Sequence, residues 1–285
     1  MTTRTVERII QAISTSDGAG VKLRRSLGQS EAARLDPFLL LDEFWSDDPN
    51  DYLAGFPNHP HRGFETVTYM LDGHMLHEDH LGNRGDLTPG SVQWMSAGRG
   101  IVHSEMPQQT QGRMRGFQLW LNLPAREKMK NPEYRDIAPD AIPAVALAGG
   151  GRAKVIAGVL QADRKATPGP IQGLTTDPLY VDLDLPAGAA FAHPLRADHN
   201  AFVYVTEGSV TVAGHAVPTH AAGVLAPGGD RVEFAAGTDG ARVLLLAGRP
   251  LREPIVQHGP FVMNTRDEII QAIRDYQSGA LTRAA

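Results

Sequence analysis

Residues 66–73 read TVTYMLDG, a run of β-branched and aromatic residues that ends in Asp72-Gly73. Such a run has the composition of a β-strand, and Asp-Gly between apolar runs is typical of a tight hairpin turn because glycine tolerates positive φ. Similar runs recur at Val92–Met95 and at Phe117–Leu123. Many short strands separated by turn residues predict an all-β fold, either a barrel or a sandwich.

The strand pattern occurs twice along the chain. Tyr69–Gly73 (YMLDG) resembles Tyr204–Gly208 (YVTEG), and Thr88–Gly90 (TPG) resembles Ala226–Gly228 (APG). The order and spacing of these motifs agree in both halves, which indicates an internal duplication. A chain of 285 residues is also longer than a single common domain. The predicted domains are residues 1–136 and 152–285, with a linker at residues 137–151.

The C-terminus departs from the strand pattern. Thr265 and Glu268 have the spacing of a helix capping box. Apolar residues then recur at helical intervals before Gly279, namely Ile269, Ile270, Ile273 and Tyr276. This pattern predicts one short C-terminal helix. A second short helix is predicted after Pro124, where residues 125–130 are rich in helix formers.

The composition excludes several classes of protein. The absence of cysteine excludes disulfides, thiolate catalysis and cysteine-ligated zinc or iron–sulfur centres. A net charge of −5 provides no basic excess, so direct nucleic acid binding is not expected. Because no secretory signal and no apolar run of about 20 residues is present, we expect a cytoplasmic protein without membrane contact. Chain length alone favours a monomer.

Two short motifs carry metal-ligating side chains. His59-Pro-His61 places two imidazoles on one side of a strand, because alternate residues of a strand share a face. His103-Ser-Glu105 offers an imidazole and a carboxylate at the same spacing. Histidine and glutamate are poor residues for a barrel interior unless they have a partner or an ion. Two adjacent strands that carry these motifs would form a metal site of three histidines and one carboxylate.

The donor set leaves several metals open. Nitrogen and oxygen donors without thiolates suit iron(II), manganese, nickel, copper or zinc. Four protein ligands on an octahedral ion leave two positions for a substrate and dioxygen, so iron(II) is favoured. Zinc in a closed tetrahedral site is the structural alternative.

Around these motifs the sequence resembles the pirin family of bicupins. The two longest matching segments are His59–Val67 (HPHRGFETV) and Gln93–Pro107 (QWMSAGRGIVHSEMP). Shorter matches are Leu35–Asp42 (LDPFLLLD), Phe117–Pro124 (FQLWLNLP) and Pro260–Arg266 (PFVMNTR). The resemblance implies two stacked cupin (jelly-roll) barrels. It further implies that the N-terminal barrel holds iron through four residues, here His59, His61, His103 and Glu105.

Glu65 is an alternative ligand. It follows His61 by four residues, as in the general cupin pattern HxH-x3-E, and an unbroken strand would direct His59, His61 and Glu65 to one side. The pirin resemblance instead makes Glu105 the ligand, and this assignment is favoured. The unused carboxylate would then orient a ligand histidine.

Other polar residues are predicted to have no catalytic task. Within the turn-rich segment 70–86, five polar residues are predicted to lie in exposed loops, with an outer metal site or a pocket rim as the alternative: His74, His77, Glu78, Asp79 and His80. Arg62 and Arg99 are predicted to face solvent, although either could bind an anionic substrate. In the second half, His193 and His199 have no downstream His-x-Glu pair, so a metal-free C-terminal barrel is expected.

Two functions remain open at this point. The first is a dioxygenase that opens a flavonol such as quercetin, with Glu105 as the general base and an aromatic or enol substrate and dioxygen as partners. Some members of the pirin family are associated with this activity. The second is a non-catalytic module whose iron oxidation state changes its affinity for a regulatory protein partner, as the resemblance implies for transcriptional coregulators.

Overall fold

The computed structural model describes residues 2–283, and its regular elements are β-strands apart from one α-helix and short 3-10 turns. The first strands are β1 (Val6–Gln11), β2 (Ile13–Asp17), β3 (Val21–Arg25), β4 (Phe38–Ser46), β5 (Phe56–His61), β6 (Phe64–Asp72), β7 (Met75–Asp79), β8 (Arg84–Leu87), β9 (Val92–Ser96), β10 (Ile101–Pro107), β11 (Met114–Asn122), β12 (Glu133–Ile137) and β13 (Ala144–Ala146). The remaining elements are β14 (Arg152–Ala157), β15 (Val159–Ala162), β16 (Lys165–Pro168), β17 (Leu179–Leu185), β18 (Ala190–Pro194), β19 (Asn200–Val212), β20 (His215–Val217), β21 (Ala221–Leu225), β22 (Arg231–Gly248), β23 (Val256–His258), β24 (Phe261–Met263) and the helix α1 (Arg266–Gln277). The all-β prediction is confirmed. Residues 2–283 include no helix with the length and apolar character that a membrane crossing requires.

The first compact unit, here called the N-terminal barrel, contains Ser14–Arg25, Phe38–Pro139 and the chain from Leu251 onward. Two sheets form its wall, a seven-stranded sheet in the order β12-β9-β6-β11-β4-β3-β2 and a four-stranded sheet in the order β5-β10-β7-β8. A cluster of buried apolar side chains that includes Phe44, Phe56 and Met70 forms part of its core. Burial of such side chains supplies the main stabilisation of the sheets.

The second compact unit, the C-terminal barrel, contains the chain up to Ile13, Ser26–Pro37 and Asp140–Pro250. Its sheet has the order β1-β21-β19-β22-β17-β14-β13, with β18 also paired to β22 and β20 to β19. A separate apolar core fills it, with fully buried positions on β17, β19 and β22. The two units are the two cupin barrels expected from the sequence.

Both chain ends belong to a different unit from the one their sequence position predicts. β1 pairs in antiparallel fashion with β21, so it extends the sheet of the C-terminal barrel. α1 contacts β23 and β24 within the N-terminal barrel. The contiguous ranges 1–136 and 152–285 therefore differ from the compact units at both ends. The reason is that strand pairing and helix packing follow apolar complementarity and not chain order.

Asp72-Gly73 does not form the predicted hairpin. β6 pairs with β9 and β11, whereas β7 pairs with β8 and β10 in the other sheet of the same barrel. Gly73 has φ of +92°, a conformation that glycine adopts without strain. The turn thus carries the chain from one sheet to the other. A local motif predicts a turn, but pairing partners are set by the whole barrel.

The C-terminal helix is confirmed, including its capping box. Thr265 accepts from the backbone N–H of Glu268, and the Glu268 side chain accepts from the backbone N–H of Thr265. Its buried face differs from the prediction, because Ile269 and Ala272 are buried whereas Ile270 is 45% exposed. At 100° per residue, Ile270 points to a different side from Ile269. The helix predicted at residues 125–130 is only a short 3-10 turn, because so few residues cannot sustain an α-helix.

Candidate metal centre

Two neighbouring strands position the candidate ligands. β5 carries His59 and His61, and it pairs in antiparallel fashion with β10, so that His103 lies opposite His59. β5 is the outermost strand of its sheet. Pro60, which has no backbone N–H, is therefore tolerated there, because an edge strand has no second neighbour to which it must donate. The prediction of two adjacent strands that carry the two motifs is confirmed.

The three imidazoles converge on one point. Candidate ligand atoms of His59, His61 and His103 all lie within 4.8 Å of one another. The Nε2 atoms of His59 and His61 are 3.0 Å apart. Two nitrogens that each lie about 2.1 Å from one ion are about 3.0 Å apart when the angle at the ion is a right angle. This separation suits adjacent ligands of a single ion.

The surroundings keep the imidazoles of His61 and His103 neutral. Burial lowers the pKa of His61 well below its usual value, and the neighbouring His59 lowers it further. Burial also lowers the pKa of His103 well below its usual value, with further contributions from the histidines around it. Neutral imidazole is the form that binds a metal ion.

The orientation of the ring nitrogens also suits a metal. Nδ1 of His59 lies 2.9 Å from the carbonyl oxygen of Pro57, to which it donates. This bond leaves the lone pair on Nε2, directed at the cluster. Nε2 of His103 is buried and has no hydrogen-bond partner within residues 2–283. A buried nitrogen without a partner is costly unless it binds something, so the three histidines fit a metal ion.

Glu105 lies beside the cluster but is not one of its three converging members. Its Oε1 accepts from Oγ1 of Thr68 at 2.8 Å, and its Oε2 accepts from Nε2 of Gln118 at 2.9 Å. A register shift on β10 between His103 and Glu105 sets the glutamate opposite Phe56. The structure therefore shows a buried carboxylate held at both oxygens, and its role as a ligand stays a prediction.

Two family models match the sequence, one described as Pirin at residues 20–121 and one as Pirin C-terminal cupin domain at residues 180–282. The chain belongs to the pirin family. A pirin-like protein from Caulobacter vibrioides is 55% identical over 279 residues, which cover 98% of this chain and 99% of the relative. Human pirin is 41% identical over 268 residues, which cover 92% of this chain and 89% of human pirin.

A solved structure shows the same fold along the whole chain. The crystal structure of quercetin 2,3-dioxygenase from Acinetobacter baumannii superimposes with a TM-score of 0.90 at 32% sequence identity. The superposition covers 99% of each chain. The bicupin architecture of this pirin is therefore shown by its strands and by its relatives together.

His77 of this pirin is a buried neighbour of the cluster that the sequence analysis placed in an exposed loop. Its side chain is fully buried on β7, and its Nδ1 lies 3.2 Å from Nδ1 of His103. Nε2 of Gln93 donates to the same His77 nitrogen at 2.7 Å, and Tyr134 stacks on the imidazole ring. The single lone pair of His77 Nδ1 is thus shared between Gln93 and His103, and the contact restricts the orientation of the His103 ring. The exposed-loop prediction was wrong for His77, because β7 is an inner strand of the four-stranded sheet. Glu78 and His80 are exposed, as predicted.

Glu65 lies apart from the three histidines. β5 ends at His61 and β6 begins at Phe64, so the unbroken strand assumed for the cupin pattern does not exist. Glu65 is buried, accepts from Nε1 of Trp94 at 3.3 Å and lies 4.0 Å from Nζ of Lys130. Burial raises the pKa of Glu65 to about 7.

Arg62 was predicted to face solvent, but its side chain is 5% exposed. Its Nη1 donates to Oδ2 of Asp275 on α1 at 2.7 Å, and its Nε donates to the carbonyl oxygen of Arg99 at 2.5 Å. The residue next to His61 thus ties the ligand strand to the C-terminal helix. The sequence singled out Arg62 but not its partner, because Asp275 lies more than two hundred positions further along the chain.

Proposed function

We propose that this pirin-family chain is a metal-dependent dioxygenase that opens a flavonol such as quercetin. The convergence on one point of three histidines, the half-buried His59 and the buried His61 and His103, carries the proposal. Burial keeps His61 and His103 neutral. The 32% identity to a quercetin 2,3-dioxygenase over 99% of both chains supports the same reaction class. The other partners of this reaction are dioxygen and the aromatic substrate.

We assign the metal to His59, His61 and His103, with Glu105 as the fourth ligand and iron(II) as the favoured ion. Manganese, nickel, copper and zinc fit the same donors. A bound divalent ion would supply Lewis acidity and open coordination positions for the substrate. The histidines are set to bind without losing a proton, because burial lowers the pKa of both His61 and His103.

Glu105 has the further role of general base in this proposal. Each of its oxygens accepts one hydrogen bond, from Thr68 or from Gln118, and each keeps a second acceptor position. Nε1 of Trp120 donates to Oε1 of Gln118 at 3.2 Å, which orients the amide towards Glu105. A carboxylate held in this way can take the proton of a flavonol hydroxyl without moving. Ring opening of quercetin with dioxygen would then release carbon monoxide.

The test is anaerobic addition of quercetin to the iron-loaded chain, followed by dioxygen. We expect oxygen uptake, carbon monoxide release and loss of both in Glu105→Gln. Glu65→Gln is the matched control, since it removes another buried carboxylate of the same barrel that lies outside the histidine cluster. If the iron, manganese, nickel and copper forms all fail to consume oxygen, the dioxygenase proposal is wrong.

Elemental analysis tests the metal assignment separately. Protein purified without added metal should contain close to one equivalent of a transition metal, and His59→Ala should lose it. His74→Ala is the control, because His74 is a half-buried histidine that bonds to Asp86 and not to the cluster. Retention of metal in His59→Ala would contradict the assignment.

One contact favours the second function, a redox-dependent binding module. Arg62 follows a proposed ligand directly and forms an ion pair with Asp275 on α1. A change in the iron oxidation state could thereby alter the outer surface of the helix. Hydrogen exchange of the α1 amides should then differ between the ferrous and ferric forms. Equal protection in both forms would contradict a redox switch at this helix.

A further inference from the structure

A cavity with polar and apolar walls lies in the C-terminal barrel. Its volume is about 430 Å³, within the range that small-molecule sites occupy. Its apolar wall includes Val159, Leu179 and Leu195. His193 and His199, the two histidines that the metal argument left unused, also line it. The metal-ligating cluster within residues 2–283 lies elsewhere and includes neither of these histidines.

In this cavity, Nε2 of His199 lacks a hydrogen-bond partner in the described part of the chain. The residue is 4% exposed. The carboxylate oxygen nearest to it in the cavity, Oδ2 of Asp177, is 3.5 Å away. An oxygen atom placed beside this pair could accept from the imidazole and donate to the carboxylate. A hydroxyl group does both, whereas a carboxylate or an ammonium group cannot.

The charges around this pair balance. Nη1 of Arg196 and Nη2 of Arg249 lie 3.6 and 3.8 Å from Oδ2 of Asp177, and Nε of Arg196 lies 3.5 Å from Asp198. Two cations therefore face two anions. A charged ligand would meet a like charge in either case, so a neutral ligand is favoured.

The polar part of the cavity is held rigidly. Arg4 is 2% exposed and donates to the carbonyl oxygens of Arg196, His199 and Gly229, each at 2.7 Å. These bonds fix the turn that carries His199. On the opposite side, Nε2 of His193 accepts from the backbone N–H of Gln161 at 3.0 Å. A site whose polar groups are fixed in advance loses little entropy on binding.

We propose that this cavity binds a neutral phenol. Its hydroxyl bridges Nε2 of His199 and Oδ2 of Asp177, and its ring lies against Val159, Leu179 and Leu195. The imidazole of His193 adds an aromatic ring to the same wall. The site is independent of the proposed dioxygenase activity, because it uses none of the residues of the N-terminal barrel.

Resorcinol is the probe, since its 1,3-hydroxyls do not chelate a metal ion, and 1,3-dimethoxybenzene is its matched analogue without hydroxyl donors. Both are titrated into the full, metal-free chain by calorimetry, with spectra of ¹⁵N-labelled histidine side chains. We expect resorcinol to bind about tenfold more tightly than the dimethoxy analogue and to shift the His199 resonance, because an unmet donor and acceptor reject a ligand that cannot pair with them.

The variants locate the site. His199→Ala should weaken resorcinol about tenfold, and His215→Ala, an exposed histidine on β20, should leave it unchanged. Val159→Trp fills the cavity without altering His199 and should abolish resorcinol binding. This variant tests the site even if His199→Ala destabilises the fold. Equal affinity for both probes, no binding, or binding unchanged in Val159→Trp would overturn the proposal. Oxygen uptake with quercetin is measured in parallel, and its absence would leave the resorcinol result intact.

Discussion

At the scale of single residues, the imidazole of His77 links the metal cluster to the rest of the barrel. It lies between His103 and Gln93, and its ring is stacked on Tyr134. Ligand histidines whose second nitrogen is held by a fixed partner bind metal more tightly, because the ring does not need to be ordered on binding. Under the proposed assignment of His103 as a ligand, the contact with His77 would hold its second nitrogen in this way.

We predict that His77→Ala weakens metal binding by about 10–100-fold while the chain stays folded. His74→Ala is the control, because His74 directly precedes β7, the strand that carries His77, but bonds to Asp86. A competition titration with a chromophoric chelator measures the affinity, and circular dichroism checks the fold. An affinity equal to that of the wild type would show that His103 needs no support from His77.

The raised pKa of Glu65 predicts that the free energy of unfolding depends on pH. Burial raises its pKa from 4.5 to about 7 in the folded chain, so the folded state binds a proton that the unfolded state releases between those values. Stability contributed by this group is therefore lost as the pH rises from about 4.5 to about 7, by about 3 kcal/mol in total.

Glu65→Gln should remove this loss. In urea unfolding of the metal-free chain, the variant should gain stability relative to the wild type as the pH rises, up to about 3 kcal/mol above pH 7. Glu78→Gln, at an exposed glutamate on β7 that is not among the charges acting on Glu65, should show no such trend. A difference between Glu65→Gln and wild type that does not change with pH would contradict the raised pKa.

At the scale of elements, α1 is attached to the N-terminal barrel by a core and by an ion pair. Ile269, Ala272 and Leu281 pack with Phe261 and Met263 of β24. Asp275 accepts from Arg62, whose side chain is 5% exposed, while the carboxylate side chain is 22% exposed. Removing one partner of such a pair leaves a buried charge uncompensated.

We predict that Asp275→Asn lowers the free energy of unfolding by about 2 kcal/mol, because Arg62 then stays buried without its counterion. Asp267→Asn is the control, since Asp267 is exposed on the same helix and can affect only its first turn. Chemical denaturation measures both variants. Equal effects of the two substitutions would argue against any special contribution of the Arg62 pair.

At the scale of the whole molecule, each compact unit is discontinuous in sequence. β1 completes the sheet of the C-terminal barrel, and the buried Arg4 side chain donates three hydrogen bonds within that barrel. The segment after Pro250 belongs to the N-terminal barrel. Neither half of the chain, cut in the middle, therefore contains a complete barrel.

We predict that a polypeptide of residues 152–285 does not unfold cooperatively, because it lacks β1 and Arg4 and carries an α1 segment without its core. Residues 2–37 joined by a flexible linker to residues 140–250 should restore a cooperative transition, since these two ranges contain the described segments of the C-terminal barrel. Thermal circular dichroism compares the two polypeptides. A sharp transition in residues 152–285 would mean that β1 is dispensable.

Several features of this chain follow from local sequence. Alternating apolar residues and turn residues predict strands, because the pleat directs alternate side chains to opposite faces. The same rule places His59 and His61 on one face, and the Thr265–Glu268 spacing predicts the start of α1. The segments His59–Val67 and Gln93–Pro107 also resemble those of the pirin family, to which the chain belongs.

Other features of the fold and of the candidate site depend on tertiary structure and do not follow from local sequence. The burial of His77, the support of Glu105 by Thr68 and Gln118, and the switch of sheets at Gly73 depend on which strands pair. Strand pairing is a non-local choice set by the packing of the complete barrel, and a local pattern does not specify it. The sequence by itself therefore determined the strands and the three histidines of the site. Their neighbours, and the unit to which each chain end belongs, came only with the folded barrels.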